Sequence, residues 1–174
     1  MFVTAYTSEV NDWIRWLPAG SVWRPQNVPE VRSSGGEAGL MLVTGLGEWK
    51  LRTGFNYNHT NVVMKRSLRA EDPSVGYQLA YQPKHSWRTS FTLDKEPLSL
   101  FVRFAYTGER TTLDIFDLLP AYLLTDIGAS AKININKYKF ILNTTILNLF
   151  DINYQNVKFY AMPRHTAFRL MEPE

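Results

Sequence analysis

The 174-residue chain has no cysteine, which excludes a disulfide framework, a thiolate nucleophile and a cysteine-ligated zinc site while leaving the compartment open. It has no stretch approaching the roughly 18 uninterrupted apolar residues of a membrane-spanning helix, and its mean hydropathy is slightly negative, -0.23. The opening residues, MFVTAYTSEVNDWIRW, show no basic n-region, apolar h-region or small-residue cleavage site, so they do not read as a secretory signal. A basic block is missing too. The 19 Lys and Arg are scattered among 16 Asp and Glu, so a net charge of +3 and a pI near 9.1 make no nucleic-acid footprint, and no nucleic-acid partner is expected.

Chemistry-bearing motifs are equally scarce. His59, His85 and His165 stand far apart, with no His-x-x-x-His spacing and no carboxylate at ligand distance, so neither a metal site nor a cofactor is expected. Gly45 and Gly47 in TGLGEWK precede an alternating segment instead of a helix, which makes them a tight turn and not a phosphate loop. Without a nucleophile elbow the Ser, His and Asp residues have no placement. Catalytic residues: none expected.

What the sequence has in quantity is alternation. Apolar residues make up 45% of it and aromatics 14%, enough to exclude disorder. Trp49, Leu51, Thr53, Phe55 and Tyr57 alternate with Lys50, Arg52, Gly54, Asn56 and Asn58, the period-2 signature of a strand with one apolar face. The same period holds over residues 85–94, 98–110 and 121–134, and in the second of these only Phe101 breaks the polar face. Weaker strands are predicted at about 2–16, 26–44, 138–150 and 165–171. The fold class is therefore all-β, about eight antiparallel strands without a helix.

The connections alternate in length: about ten residues at LPAGSVWRPQ, a few at GLGE, a dozen at KRSLRAEDPSVG, a few at DKEP, then long LDIFDLLP, short NINK and long DINYQNVKFYAMP. An up-and-down transmembrane β-barrel segment has a reason for this, because short turns face one side of the membrane and long loops the other. The strands also reach the roughly 9–11 residues needed to cross a bilayer. Arg103 is then expected in the lumen, and Trp49 and Trp87 in an aromatic girdle. A small self-contained eight-stranded barrel and a soluble β-sandwich binding module are the alternatives, the latter testable by whether the protein stays folded without detergent.

One further pattern stands at residues 148–164, NLFDINY followed by MPRH. It resembles the Asn-Leu-Phe-Asp-x-x-Tyr exit of the penultimate strand, and the Pro-Gly-Arg-type entry to the last, in the TonB-dependent outer-membrane receptors. YTSEVNDWI, QNVPEVRSSGGE, YQPKH and LPAYLLTD stand in the order that family has. The glycine between Pro163 and Arg164 is missing, and the chain ends in RLMEPE without a terminal aromatic. The resemblance implies the C-terminal part of a barrel of twenty-two strands over residues 1–174, with plug domain and signal peptide absent. It implies location in a Gram-negative outer membrane and import of a siderophore, haem or cobalamin-like ligand. Its expected partners are outer-membrane lipid, the remaining strands and plug, the TonB complex through that plug, and a small ligand such as an iron chelate.

Within this reading Asn148, Leu149, Phe150, Asp151, Tyr154, Pro163 and Arg164 are structural. Asn and Asp side chains at a strand exit bond nearby backbone, and Phe150 and Tyr154 suit an interfacial belt. Ligand contact is expected from the external loops: Trp23 and Arg24 in the first, Lys65, Arg66 and Arg69 in the second, Asp114 and Asp117 in the third. Their basic members would attract an anionic chelate.

Overall fold

The structure, a computed structural model, describes residues 1–19, 22–68, 70–158, 160 and 161. Seven long strands form one antiparallel sheet in which each pairs with the next: β1 (Phe2–Ala19), β2 (Val22–Leu46), β3 (Trp49–Arg66), β4 (His85–Lys95), β5 (Leu98–Thr107), β8 (Tyr122–Ile135) and β9 (Tyr138–Ile146). Two short ribbons lie in the connections: β6 (Arg110–Thr111) with β7 (Leu118–Leu119), and β10 (Gln155–Val157) with β11 (Tyr160–Ala161). Among the described residues there is no helix, and β1 and β9 each have one edge without a partner.

The register carries the alternation across the sheet. Ala38, Tyr57, Trp87, Tyr106 and Leu123 are successive partners, and so are Thr53, Phe91, Val102, Ile127 and Ile146. One face is thus built of Leu, Phe, Ile and Val. The other carries Lys50, Arg52, Arg88, Asp94, Arg103, Asp126 and Lys132 with Ser, Thr and Asn, apart from Met41, Val43, Phe101, Leu124 and Ile141. A one-residue slip in any pair would exchange the faces, so the pattern specifies the register.

Both faces are open among the described residues, the apolar one included. Leu42 is 51% exposed, Phe91 39% and Phe140 46%, which is unfavourable in water over so large a patch and favourable against lipid. Trp49 beside one short turn and Tyr138 beside another mark its lower margin. Tyr57, Trp87 and Tyr106 share one row at the upper margin, Trp87 stacked on Tyr106 at 5.6 Å. Trp49 and Tyr57 are eight residues apart, about 27 Å along the strand and about 20 Å along the membrane normal at the usual barrel tilt, which suits an apolar band of about 25 Å.

Arg103 lies on the polar face with its guanidinium 4.2 Å from the Phe101 ring centre. That accounts for Phe101. Its ring covers Gly128 across the strand pair, where an added Cβ would come within 2.4 Å of it, and Arg103 caps the ring. Phe2 covers Gly39 on the same face in the same way. An aromatic laid over a strand glycine protects backbone that no side chain of its own would cover.

Three expected boundaries need correction. The flanks of LPAGSVWRPQ are strand and not loop: β1 and β2 continue as a two-stranded ribbon through Trp16↔Pro25 and Pro18↔Trp23 to Ala19↔Val22, so Trp23 and Arg24 are strand residues. The prolines misled because proline breaks a central strand, whereas each ribbon strand has a free edge to which the missing N–H can be turned. Next, β3 runs on to Arg66, so Lys65 and Arg66 close a strand, where a bulge at Glu30 and Val31 shifts its pairing with β2. Finally β9 ends at Ile146, before Asn148. The strand expected at 165–171, with Arg69, Pro163 and Arg164, lies outside the described residues.

Candidate functional site

The short turns, Gly47–Glu48, Glu96–Pro97 and Asn136–Lys137, all fall at one end of the sheet. Gly47 has a φ of 62°, the left-handed conformation that glycine adopts without steric cost. Every long connection is at the other end, where these segments bond to one another as a layer. The segment after β3 adds to the upper edge of that strand through Leu79 N–H to the Val62 carbonyl at 2.7 Å and Gly76 N–H to the Met64 carbonyl at 2.8 Å. Beneath it Val28, Val31, Val62, Met64 and Leu79 form a small closed core with Trp13 against it. Tyr81 N–H then reaches the Thr111 carbonyl of β6 at 2.8 Å.

Asp114 and Asp117, expected to meet ligand, are used by their own loop. Asp114 accepts the Phe116 N–H at 3.0 Å. Asp117 accepts the Thr112 hydroxyl at 3.1 Å and pairs with Lys158, tying the β7 side of the layer to β10. The Lys158 hydrogen bond, helped by that of Thr112 and the Lys158 charge, outweighs burial and holds the Asp117 carboxyl below its ordinary value. A depressed carboxylate contributes its stabilisation in full above the ordinary carboxylate range and loses it as pH falls through the lower folded value. The tether is therefore expected to persist through mild acid, and Lys158→Ala to return the Asp117 titration toward normal. Carboxyl ¹³C shifts followed against pH check this; an unchanged Asp117 midpoint in the variant would remove Lys158 as the cause.

The exit motif folds into a knot. Asn148 has a φ of 50°, its Nδ2 donates to the Ile152 carbonyl at 3.0 Å and its Oδ1 accepts the Ile152 N–H at 2.9 Å. Its own N–H goes to the Asp126 carboxylate at 2.9 Å, and Leu149 N–H to the Thr125 carbonyl at 2.7 Å. The side chain thus stands in for a partner strand while the ladder ends, and Asn148 is 7% exposed. Leu149 is half-buried, Phe150 is 66% exposed, and Asp151 continues the turn with a φ of 49°. Tyr154 packs on Tyr122 at 4.6 Å; burial first, then Tyr122 and Asp126, push its phenol up.

The remaining candidates are not gathered at one point. Trp23, 44% exposed, and Arg24 stand on the ribbon. Arg66 lies 3.9 Å from Glu30, whereas Lys65 is turned to the outward side, in a cleft with Arg32. Sequence reasoning missed Arg110, 3% exposed, which donates to the Pro120 carbonyl at 2.9 Å and stacks its guanidinium 4.9 Å from the Tyr122 ring. It also missed a recess of 280 Å³ on the upper part of the polar face, bordered by Phe2, Glu37, Asn56, Asn58 and Arg88. Below it Arg52 grips Asp94 at 2.8 and 3.2 Å, with Ser99 on the same carboxylate at 2.7 Å. No group of three or more metal-ligating side chains occurs among the described residues.

Comparison with known proteins adds two findings. The family described as TonB dependent receptor-like, beta-barrel, matches residues 2–156. The vitamin B12 transporter BtuB of Vibrio vulnificus (strain YJ016) is 26% identical over 155 residues, which cover 88% of this chain. The chain spans 23% of the length of that relative.

Proposed function

The chain belongs to the TonB-dependent receptor-like β-barrel family, and from that premise we propose that it forms the C-terminal wall of an outer-membrane receptor importing a cobalamin, haem or siderophore. The observation that carries the proposal is the sheet with an exposed apolar face, a polar face and, among the described residues, two open edges. Unpaired edges are not tolerated in lipid, so further strands close the barrel at β1 and β9. The polar face with Arg52, Arg88 and Arg103 then lines the lumen, where a plug sits and meets the TonB complex.

The long-connection end is the external, ligand-meeting end. Trp23, Arg24 and Arg66 are the ligand-facing candidates there, with Arg69 from the same loop. Asp114 and Asp117 act on ligand indirectly by holding the layer in place. Within the family's range of cargo, the likeness to a vitamin B12 transporter favours cobalamin. The family is one of receptors and transporters, not an enzyme class.

The test replaces the matching segment of that transporter with this chain and measures assembly and uptake separately. Detergent-dependent recovery in the outer-membrane fraction with cobalamin uptake is the expected result. Correct assembly without cobalamin uptake would reassign the cargo to haem or a siderophore. Recovery of the unfused chain as a folded monomer in buffer would overturn the barrel reading.

A further inference from the structure

Resting on the barrel reading, a second site appears on the outside of the wall. On the outward face of β3 the side chains beyond Tyr57 are His59, Asn61, Val63 and Lys65, and on β2 those beyond Ala38 include Ser34 and Arg32, with Ser34 opposite Asn61 and Arg32 opposite Val63. The apolar band has ended here and the surface is polar. Arg32, Ser34, Asn61, Val63 and Lys65 line a cleft of 270 Å³. Its floor lies about 10 Å past the Tyr57 row along the normal, four residues up a tilted strand.

Four different donor groups converge on the cleft: a guanidinium, an ammonium, a hydroxyl and a carboxamide. None of the four side chains makes a hydrogen bond or ion pair among the described residues, whereas Arg66 next to them has Glu30. No carboxylate lines the cleft. Glu9 lies across from Arg32 on β1, which leaves this patch of wall with one net positive charge. A planar fork and a point charge flanked by neutral donors form a set that recognises phosphate oxygens.

We propose that this cleft binds the headgroup phosphate of an outer-leaflet lipid. The position decides between sources. A free anionic solute on its way through the receptor travels on the lumen face, and this cleft opens on the opposite face, at the height where lipid headgroups lie. The apolar belt directly beneath it, Leu40 and Phe55 upward from Leu42 and Thr53, receives the acyl chains of the same lipid. Lys65, read from sequence as a ligand contact, acts here as a lipid anchor.

The test uses the chain carried in place of the matching segment of the vitamin B12 transporter, in neutral detergent, with phosphatidic acid as probe, phosphatidylcholine as the uncharged-net comparison, and native mass spectrometry to count retained lipid. The variants are Arg32→Ser with Lys65→Ser, and, on the lumen face, Arg88→Ser. The parent is expected to retain phosphatidic acid about tenfold better than the double variant, with Arg88→Ser unchanged and excess inorganic phosphate unable to compete. Equal retention by the double variant overturns the site. An equal loss in Arg88→Ser reduces it to bulk charge and overturns it as well, and full competition by inorganic phosphate overturns the lipid assignment. Quenching of Trp49 and Trp87 by brominated lipid is read in parallel: if it is absent the barrel reading fails, and if it is present with an inactive cleft only the headgroup site fails.

Discussion

Phe91→Arg is expected to lower the stability of the membrane-inserted protein by about 2–4 kcal/mol, the cost of an arginine near the middle of the lipid-facing surface of a barrel. Phe91 lies midway along β4 between Trp87 and Lys95, in a row with Thr53, Val102 and Ile127. At 39% exposed, it would be a surface position in water, where such a substitution normally changes stability by less than about 0.5 kcal/mol. The size of the effect therefore reports the solvent that this face meets. Ser130→Arg, on the polar face opposite Ser99 and Asn143, is the matched control and is expected to be nearly neutral. Denaturant titration of both variants in lipid vesicles reads the difference, and a near-neutral Phe91→Arg would rule out lipid on the apolar face.

The second large effect is local. Asn148→Ala removes both side-chain bonds to Ile152, leaving a backbone N–H and carbonyl without partners at a cost of about 1–3 kcal/mol. It also places a Cβ-bearing residue without a local side-chain hydrogen bond at a φ of 50°, a further ~1–2 kcal/mol. The knot opens before the sheet does, so the loss is expected as roughly hundredfold faster amide exchange at Ile152, with exchange in β8 little changed. Asn148→Gly relieves the backbone part and recovers some of that protection. Asn148→Asp keeps the acceptor to Ile152 N–H and loses the donor, giving an intermediate rate. Unchanged exchange in Asn148→Ala would mean that the knot is held by Leu149 and Asp126 instead.

The depressed carboxyl of Asp117 belongs to the same layer: Lys158 engages Asp117 and the Phe116 N–H engages Asp114, so both acidic candidates are held within their own scaffold. Asp117 reads as a ligand contact because sequence shows its place in a loop and not its partner 41 positions away. Lys65 is the complementary case. Its charge was legible, but which side of the wall it faces depends on the bulge at Glu30 and Val31 and on its neighbour Arg32. Arg110 carried no signal at all, since its burial comes from Tyr122 and Pro120 on a different strand and its approach.

By itself the sequence determined the period, the polarity of each face and the end at which the turns are short, because these are local: side chains alternate every residue, and a two-residue turn permits only an antiparallel neighbour. The NLFDINY signature likewise marked the strand exit, since asparagine's backbone-mimicking side chain acts within four residues of itself. Only the tertiary structure decided how far β1, β2 and β3 run beyond the apolar belt, which loop residues lock to each other, and that Arg32 and Lys65 share an outward cleft. Those depend on contacts between segments tens of residues apart, where the energy lies in pairing and burial that no local pattern contains.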